Sequence, residues 1–432
     1  MTTKILVLPA STEIAYEIFR SLNGIKNLEL IGASAVVDGP HKIIFNNCSY
    51  LPNATDNNFL KDLSNLIESQ NIDYIFPAHD IVSVELAKNF EKISATIVQS
   101  PPSTIINLRS KLSTYQTLKD VVPIPITYSD NESEIKYPVF SKPDQGQGSQ
   151  GAFKINNTDE YNHFFKNNYK RNDYIVCEYL PGEEYTIDCF TDNKGELRYS
   201  QARQRDLVRN GISVQSLIVT DNEKFSDIAT KINNTLNLRG AWFYQVKEDA
   251  NGVLKLMEVG PRIAGTMGLP RARGVNLAAL SLFSIQGVDI EILESNKPKA
   301  ISRCLENFFQ KVVESPTNVY IDYDDIIYME ESYINPAIIS YIIKFRNDGA
   351  RIVLISKHSN DLNKSLEIYG IKGLFHKIIH IDATLKKTDF ISEDLKNNPG
   401  DSLFIDDSFS ERKAVSDKIN IPTFDLSMLE SF

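Results

Sequence analysis

Short apolar runs alternate with helically spaced segments at both ends of this chain, and that rhythm limits its fold more than any single motif. Residues 5–8 form a strand-like run, and Ser11 or Thr12 stands where it can cap an amphipathic stretch through Leu22. Residues 28–33, 74–76 and 96–98 read as further strands, with a helix over 59–67. Strands separated by helices predict a small parallel sheet with helices on both faces. No Gly-x-Gly-x-x-Gly follows the first strand, so a dinucleotide is not indicated. The rhythm returns near the end. A strand over 319–321 precedes a helix with Asn335 as N-cap, Pro336 as its first residue and Gly349 as its stop. Strands over 351–355 and 402–405 follow.

At 432 residues the chain has room for about three domains of ~150 residues. We expect an α/β architecture of three parts, over 1–100, 101–310 and 316–432, with a junction around Pro298 and Pro316. A hydrophobic share of 42% and a charged share of 24% exclude a wholly disordered chain. A net charge of −10 gives no overall preference for nucleic acid or an anionic membrane. The four cysteines form no Cys-x-x-Cys pair, so zinc is not expected and a reducing compartment is the simplest setting. No apolar run approaches the ~18 residues of a membrane span, and the N-terminal run is too short for a signal peptide. The expected location is the cytoplasm.

In the middle segment a strand delivers Lys142 to a loop holding Gly146, Gly148, Ser149 and Gly151. Glycines let backbone N–H groups approach phosphate oxygens, and lysine adds a point charge. Residues 175–188 read as strand, turn and strand, and residues 254–262 as a strand ending in an acid and an arginine. Together these motifs resemble the ATP-grasp superfamily, nearest its carbamoyl-phosphate-synthase-like carboxylate–amine ligases, over roughly residues 1–300. The resemblance implies a pre-ATP-grasp α/β domain followed by an ATP-grasp fold that uses ATP with magnesium, manganese being the alternative. It makes Lys111 and Lys142 the phosphate-binding lysines and the 146–151 loop their cover. It places adenine at Glu178, Tyr179 and Leu180, the ribose hydroxyls at Glu184, magnesium at Gln245 and Glu258, and the transferred phosphoryl group at Arg262. Gly260 stands where the family commonly has an asparagine that helps bind the second metal. The implied substrates are a small carboxylate and an amine. Arg203, Arg205, Arg209, Arg271 and Arg273 are candidates to hold the carboxylate, against the alternative of a solvated basic face.

In the last segment Asp322 and Asp324 lie just past an apolar run, as do Ser356, Asp406 and Asp407, while Lys386 and Lys387 supply cations. An open parallel sheet places its ligands at such strand ends. This order resembles the haloacid-dehalogenase superfamily over about 316–432, with its doubly wound fold. The resemblance makes Asp322 the nucleophile and a magnesium ligand. It makes Asp324 the acid and base, also within the metal site, and Ser356 a phosphate-oxygen contact. Lys387 (or Lys386) offsets charge, and Asp407, supported by Asp406, holds the metal. Ile326 departs from the usual threonine. The intervals from Asp322 to Ser356 and from Ser356 to Lys387 are too short for a cap domain, so an open site and a large substrate or a covering domain are expected. The phosphorylated substrate is unspecified. His79 and His358 belong to no metal-ligand spacing and read as structural. The combined expectation is a bifunctional enzyme, a ligase joined to a magnesium-dependent phosphatase. The alternative is an ATP-binding regulatory module with an inactive or group-transferring C-terminal domain.

Overall fold

Both ends of the chain build buried parallel strands, and the first strand shows why. In the computed structural model, Ile5 and Val7 of β1 (Thr3–Leu8) enter one apolar core while Leu6 and Leu8 enter another on the opposite face. A strand covered on both faces reads as a continuous apolar run. Thr12 caps the helix Glu13–Leu22, its hydroxyl accepting from the Ala15 N–H at 3.1 Å. The structure describes residues 2–129, 134–146, 148, 150–167, 169–209, 211–308, 316–330 and 332–431. Among these, no helix is long and apolar enough to cross a membrane.

The chain divides into two compact units, Met1–Leu305 and Glu306–Phe432. In the first, β1 to β5 (β2 Leu28–Ser34, β3 Asn47–Tyr50, β4 Tyr74–Pro77, β5 Thr96–Ile97) form a parallel sheet in the order β3-β2-β1-β4-β5. The strand order reverses between β1 and β4, the place where such sheets open a crevice. A four-stranded antiparallel sheet follows, ordered β6-β9-β7-β8 (Thr127–Tyr128, Tyr174–Glu178, Val139–Pro143, Phe153–Ile155). The third sheet has six antiparallel strands, β14-β13-β10-β11-β12-β15. Its members are β10 Glu184–Thr191, β11 Leu197–Arg209, β12 Ile212–Ile218, β13 Gly240–Glu248, β14 Leu254–Gly260 and β15 Ala300–Ser302.

The boundary expected near residue 100 lies inside this unit. Ile5 and Val7 share one core with Phe190, Phe243, Leu277 and Leu282. The segment read as a junction contains β15, which pairs with β12 through Gln215, Ser216 and Leu217. Three residues, Ala-Ile-Ser, are too few to show a strand period.

In the second unit five parallel strands take the order β20-β19-β16-β21-β22. They are β16 Asn318–Ile321, β19 Arg351–Ser356, β20 Lys377–His380, β21 Ser402–Ile405 and β22 Thr423–Phe424, with a small hairpin of β17 Tyr328–Met329 and β18 Tyr333–Ile334. The central strand β16 sends Val319 and Ile321 to one core and Tyr320 to the other. Asn335 caps the helix Pro336–Asn347 as its sequence indicates, and Gly349 ends the turn with φ 92°.

Candidate functional site

In the first unit one cavity is walled by Lys111, Lys142, Gly146, Gly148, Glu178, Tyr179, Leu180, Glu184, Gln245 and Glu258. The sheets explain the gathering. Lys142 points from β7, Glu178 ends β9, Glu184 opens β10, and Gln245 of β13 faces Glu258 of β14 in register. Gly148 and Gly151 take φ of 59° and 69°, a region that a side chain disfavours. Ser149 lies outside the described residues.

Each lysine is held. Lys142, 7% exposed, donates to Tyr115 Oη at 2.8 Å and to the Met257 carbonyl at 3.2 Å. Lys111 donates to the carbonyls of Asp144 (3.3 Å) and Gly146 (3.0 Å), so it ties the helix it begins to the glycine loop. Burial lowers the Lys111 ammonium, and Glu258 opposes that shift. Glu178 accepts from the Ile126 N–H at 3.0 Å and pairs with Lys255, while its own N–H donates to the Ile126 carbonyl at 2.9 Å. Glu184 lies between Arg205 (3.1 Å) and Lys247 (3.6 Å).

Arg262 is gripped from the first sheet. Asp80, just past β4, takes its Nε and Nη2 in a two-pronged pair, and the ring of Phe243 lies 5.3 Å beneath the guanidinium. Burial works against the Asp80 charge, yet Arg262 and Arg109 hold its carboxyl below the usual range. His79 caps the helix Asp80–Lys88, its Nδ1 accepting from the Ile81 N–H at 3.2 Å. A second cavity beside Gln245 and Glu258 is lined by Glu13, Arg205, Arg262 and Arg303, with Glu13 and Arg303 paired at 3.5 Å.

In the second unit the carboxylate oxygens of Asp322, Asp406 and Asp407 lie within 4.8 Å of one another at the ends of β16 and β21. Lys387, the first residue of the helix Lys387–Asn397, places Nζ 2.6 Å from Asp406 and 2.9 Å from Asp322 Oδ1. Lys386 stands at the N-cap position of that helix without a side-chain cap hydrogen bond, whereas Lys387 reaches both carboxylates. Burial pushes the Asp322 carboxyl up to about 6, with Lys387 opposing and Asp406 adding to the rise. Burial opposes the Lys387 charge, but Asp322 and Asp406 outweigh it and hold the ammonium above its usual range. Asp322 Oδ1 is buried without a well-aligned hydrogen bond, although Lys387 is near. Three gathered carboxylates fit a hard divalent cation. Ser356 closes β19, and Asp324 meets His358 at 2.8 Å. Ile326 is fully buried in the apolar core, so its position serves packing.

Residues 170–306 match a family model described as "ATP-grasp in the biosynthetic pathway with Ter operon". The biotin carboxylase domain of 2-oxoglutarate carboxylase from Hydrogenobacter thermophilus, solved with the magnesium salt of ADP, ADP and bicarbonate, superposes with a TM-score of 0.58. It is 17% identical, over 68% of this chain and 72% of that one. N5-carboxyaminoimidazole synthetase from Staphylococcus aureus, complexed with ADP, gives 0.56 at 16% identity, over 67% and 79% of the chains. The first unit has the ATP-grasp fold. Among curated proteins, the D-alanine--D-alanine ligase of Thermotoga petrophila is 36% identical over 90 residues, 20% of this chain and 30% of the relative. That of Petrotoga mobilis is 29% identical over 99 residues, 22% and 33%. The chain thus spans about a third of the length of the curated relatives it matches.

Within the ATP-grasp unit several arginine expectations need correction. Arg203 is fully buried and clasps Asp188 at 2.8 and 3.1 Å. Arg271 is bound by Glu17 (2.9 and 3.2 Å), and Arg273 by Glu294 (2.8 Å). An internal carboxylate thus already takes each of these three guanidinium forks, although Arg203 still lines the second cavity. Arg209 is exposed on β11. Only Arg205 of that set lines both cavities. Tyr115, Asp80 and Arg303 were missed. Their partners lie far along the chain, and no local spacing reveals such pairs.

Proposed function

We propose that the ATP-grasp unit is an ATP-dependent carboxylate–amine ligase. The observation that carries the reading is the single cavity joining one buried and one half-buried lysine, a glycine loop and the Gln245–Glu258 pair. Two neighbours of the fold were solved with ADP, one of them with its magnesium salt, which supports the same use here. A carboxylate is a poor electrophile. Its oxygen attacks the γ-phosphorus of ATP, ADP departs, and an acyl phosphate results. The amine then attacks the carbonyl carbon, expelling phosphate and releasing one proton. The protein positions these groups and offsets their charge.

Lys111 and Lys142 meet the phosphates, the 178–180 backbone meets adenine, and Glu184 meets the ribose. Gln245 and Glu258 are oxygen donors suited to magnesium, which neutralises phosphate charge when bound. Arg262 faces the transferred group. The acid and amine occupy the second cavity. Glu13 and Arg303 offer it one anion and one cation, which fits a zwitterion such as an amino acid. Lys142→Ala is expected to cost about 1.5–3 kcal/mol of ATP affinity, roughly 10- to 150-fold, and to abolish ADP formation. Calorimetric titration showing unchanged affinity, with unchanged turnover, would contradict the assignment.

We further propose that the second unit is a haloacid-dehalogenase-like phosphatase. Support comes from Asp322, Asp406 and Asp407 converging around Lys387. Asp322 attacks phosphorus and the ester oxygen leaves with a proton from Asp324. Water then attacks the aspartyl phosphate while Asp324 takes its proton, releasing phosphate and restoring Asp322. Ser356 holds a phosphate oxygen and Lys387 offsets charge. Asp322, Asp406 and Asp407 would hold magnesium, which supplies charge neutralisation. Asp322→Asn is expected to stop hydrolysis of para-nitrophenyl phosphate. Survival of that activity at the unaltered rate would refute the nucleophile.

A further inference from the structure

One side chain outside the carboxylate cluster is fixed from three directions. The His358 N–H donates to Ser356 Oγ at 3.1 Å, and its carbonyl oxygen accepts from Nε2 of His380 at 2.7 Å. Its ring is buried edge-on to Tyr323 (centroids 5.2 Å apart, planes at 82°) and Tyr328 (6.1 Å, 84°). The ring's Nδ1 then lies 2.8 Å from Asp324 Oδ1. Asp324 itself is 42% exposed along its side chain, so little else packs it into one orientation. With Nδ1 as the donor the ring holds Oδ1 and leaves the other carboxyl oxygen to carry the proton that Asp324 transfers.

We propose that His358 is a positioning residue that holds Asp324 in the rotamer from which it gives its proton to the leaving oxygen and later takes one from water. The inference rests on the phosphatase reading of the second unit. His358 suits the task because its own backbone and ring are fixed before it meets Asp324. It also ties Asp324 to Ser356, so the phosphate contact and the proton donor share one rigid support. A carboxylate left free to rotate would spend much of its time out of reach, and displacement of about 1 Å costs roughly 10²-fold in rate. A histidine present only for packing would instead affect every substrate alike.

Leaving groups separate the two roles. A nitrophenolate departs without much help from an acid, whereas an alkoxide needs the proton. The experiment measures kcat and KM of the full-length protein with magnesium on para-nitrophenyl phosphate and on an alkyl phosphate. His358→Ala is expected to lower kcat on the alkyl ester by about 10²-fold, with little change on the nitrophenyl ester and in either KM. His358→Asn, whose amide N–H stands near the place of Nδ1, is expected to recover most of the loss. If the alanine variant does not fold, His358→Gln takes its place, since it keeps bulk but moves the donor one carbon outward. Equal losses on both esters, or no recovery by asparagine in a folded variant, would overturn the proposal while leaving the phosphatase reading intact. An unaltered protein that hydrolyses neither ester, and is indistinguishable from Asp322→Asn, would overturn both.

Discussion

Position 260 shows how a departure from a motif is resolved by its surroundings. A Cβ built on Gly260 would lie 2.4 Å from the ring of Phe243, the same ring that supports Arg262. The space of the missing asparagine is therefore filled. Gly260→Asn is expected to destabilise the ATP-grasp unit by about 1–3 kcal/mol through overpacking, not to gain a metal ligand. Thermal denaturation checks this, and an unchanged melting temperature would contradict it. The glycine itself was legible as a departure, but its cause was not, since Phe243 is brought to it only by the pairing of β13 with β14. Lys142 and the acids at strand ends were legible because each lies in or just past a recognisable strand. Tyr115 and Asp80 were not, because what they do depends on Lys142 and Arg262, which only the fold brings to them.

The helix Lys387–Asn397 shows how an element aims a functional side chain. Its first residue enters the carboxylate cluster, and about two turns on Asp394 anchors it to the sheet. Asp394 pairs with Arg351 of β19 (2.6 and 3.2 Å) and Lys377 of β20 (2.7 Å), and accepts from Tyr320 of β16 (2.9 Å). Although burial resists its charge, the Arg351, Lys377 and Tyr320 hydrogen bonds bring the Asp394 carboxyl down to about 2. A carboxyl lowered by folding stabilises the folded state above its unfolded pKa. That contribution fades as the pH falls from about 4 to the folded value. Asp394→Ala is therefore expected to cost about 2–3 kcal/mol near neutrality, less than a fully buried pair because Lys377 reaches water. The difference from the unaltered protein should shrink in urea titrations run towards pH 2. A pH-independent difference would contradict the account. The helix Pro336–Asn347 was legible from Asn335 and Pro336, whereas Lys387–Asn397 has no side-chain cap to announce it, and the hairpin of β17 and β18 is too short to carry a period.

The two units are separate cores carrying separate sets of charged groups. The second unit closes its own apolar clusters around β16, with Ile338, Ile342, Leu354 and Leu403 on one face and Val353, Ile391 and Phe404 on the other. A fragment spanning 306–432 is accordingly expected to unfold in one cooperative transition and to retain magnesium-dependent hydrolysis of para-nitrophenyl phosphate. In the full chain, Asp322→Asn should leave ATP affinity within error of the unaltered protein, as calorimetric titration would show. A fragment without a cooperative transition, or a loss of ATP binding in that variant, would contradict the division. The central claim is that the ATP-grasp unit activates an acid for attack by an amine. It is tested most directly by following ADP release with magnesium across a panel of acids and amines, amino acids foremost, with each component omitted in turn. The account predicts ADP release that requires both an acid and an amine and is lost in Lys142→Ala. ADP release indifferent to acid and amine, or none with any pair, would contradict it.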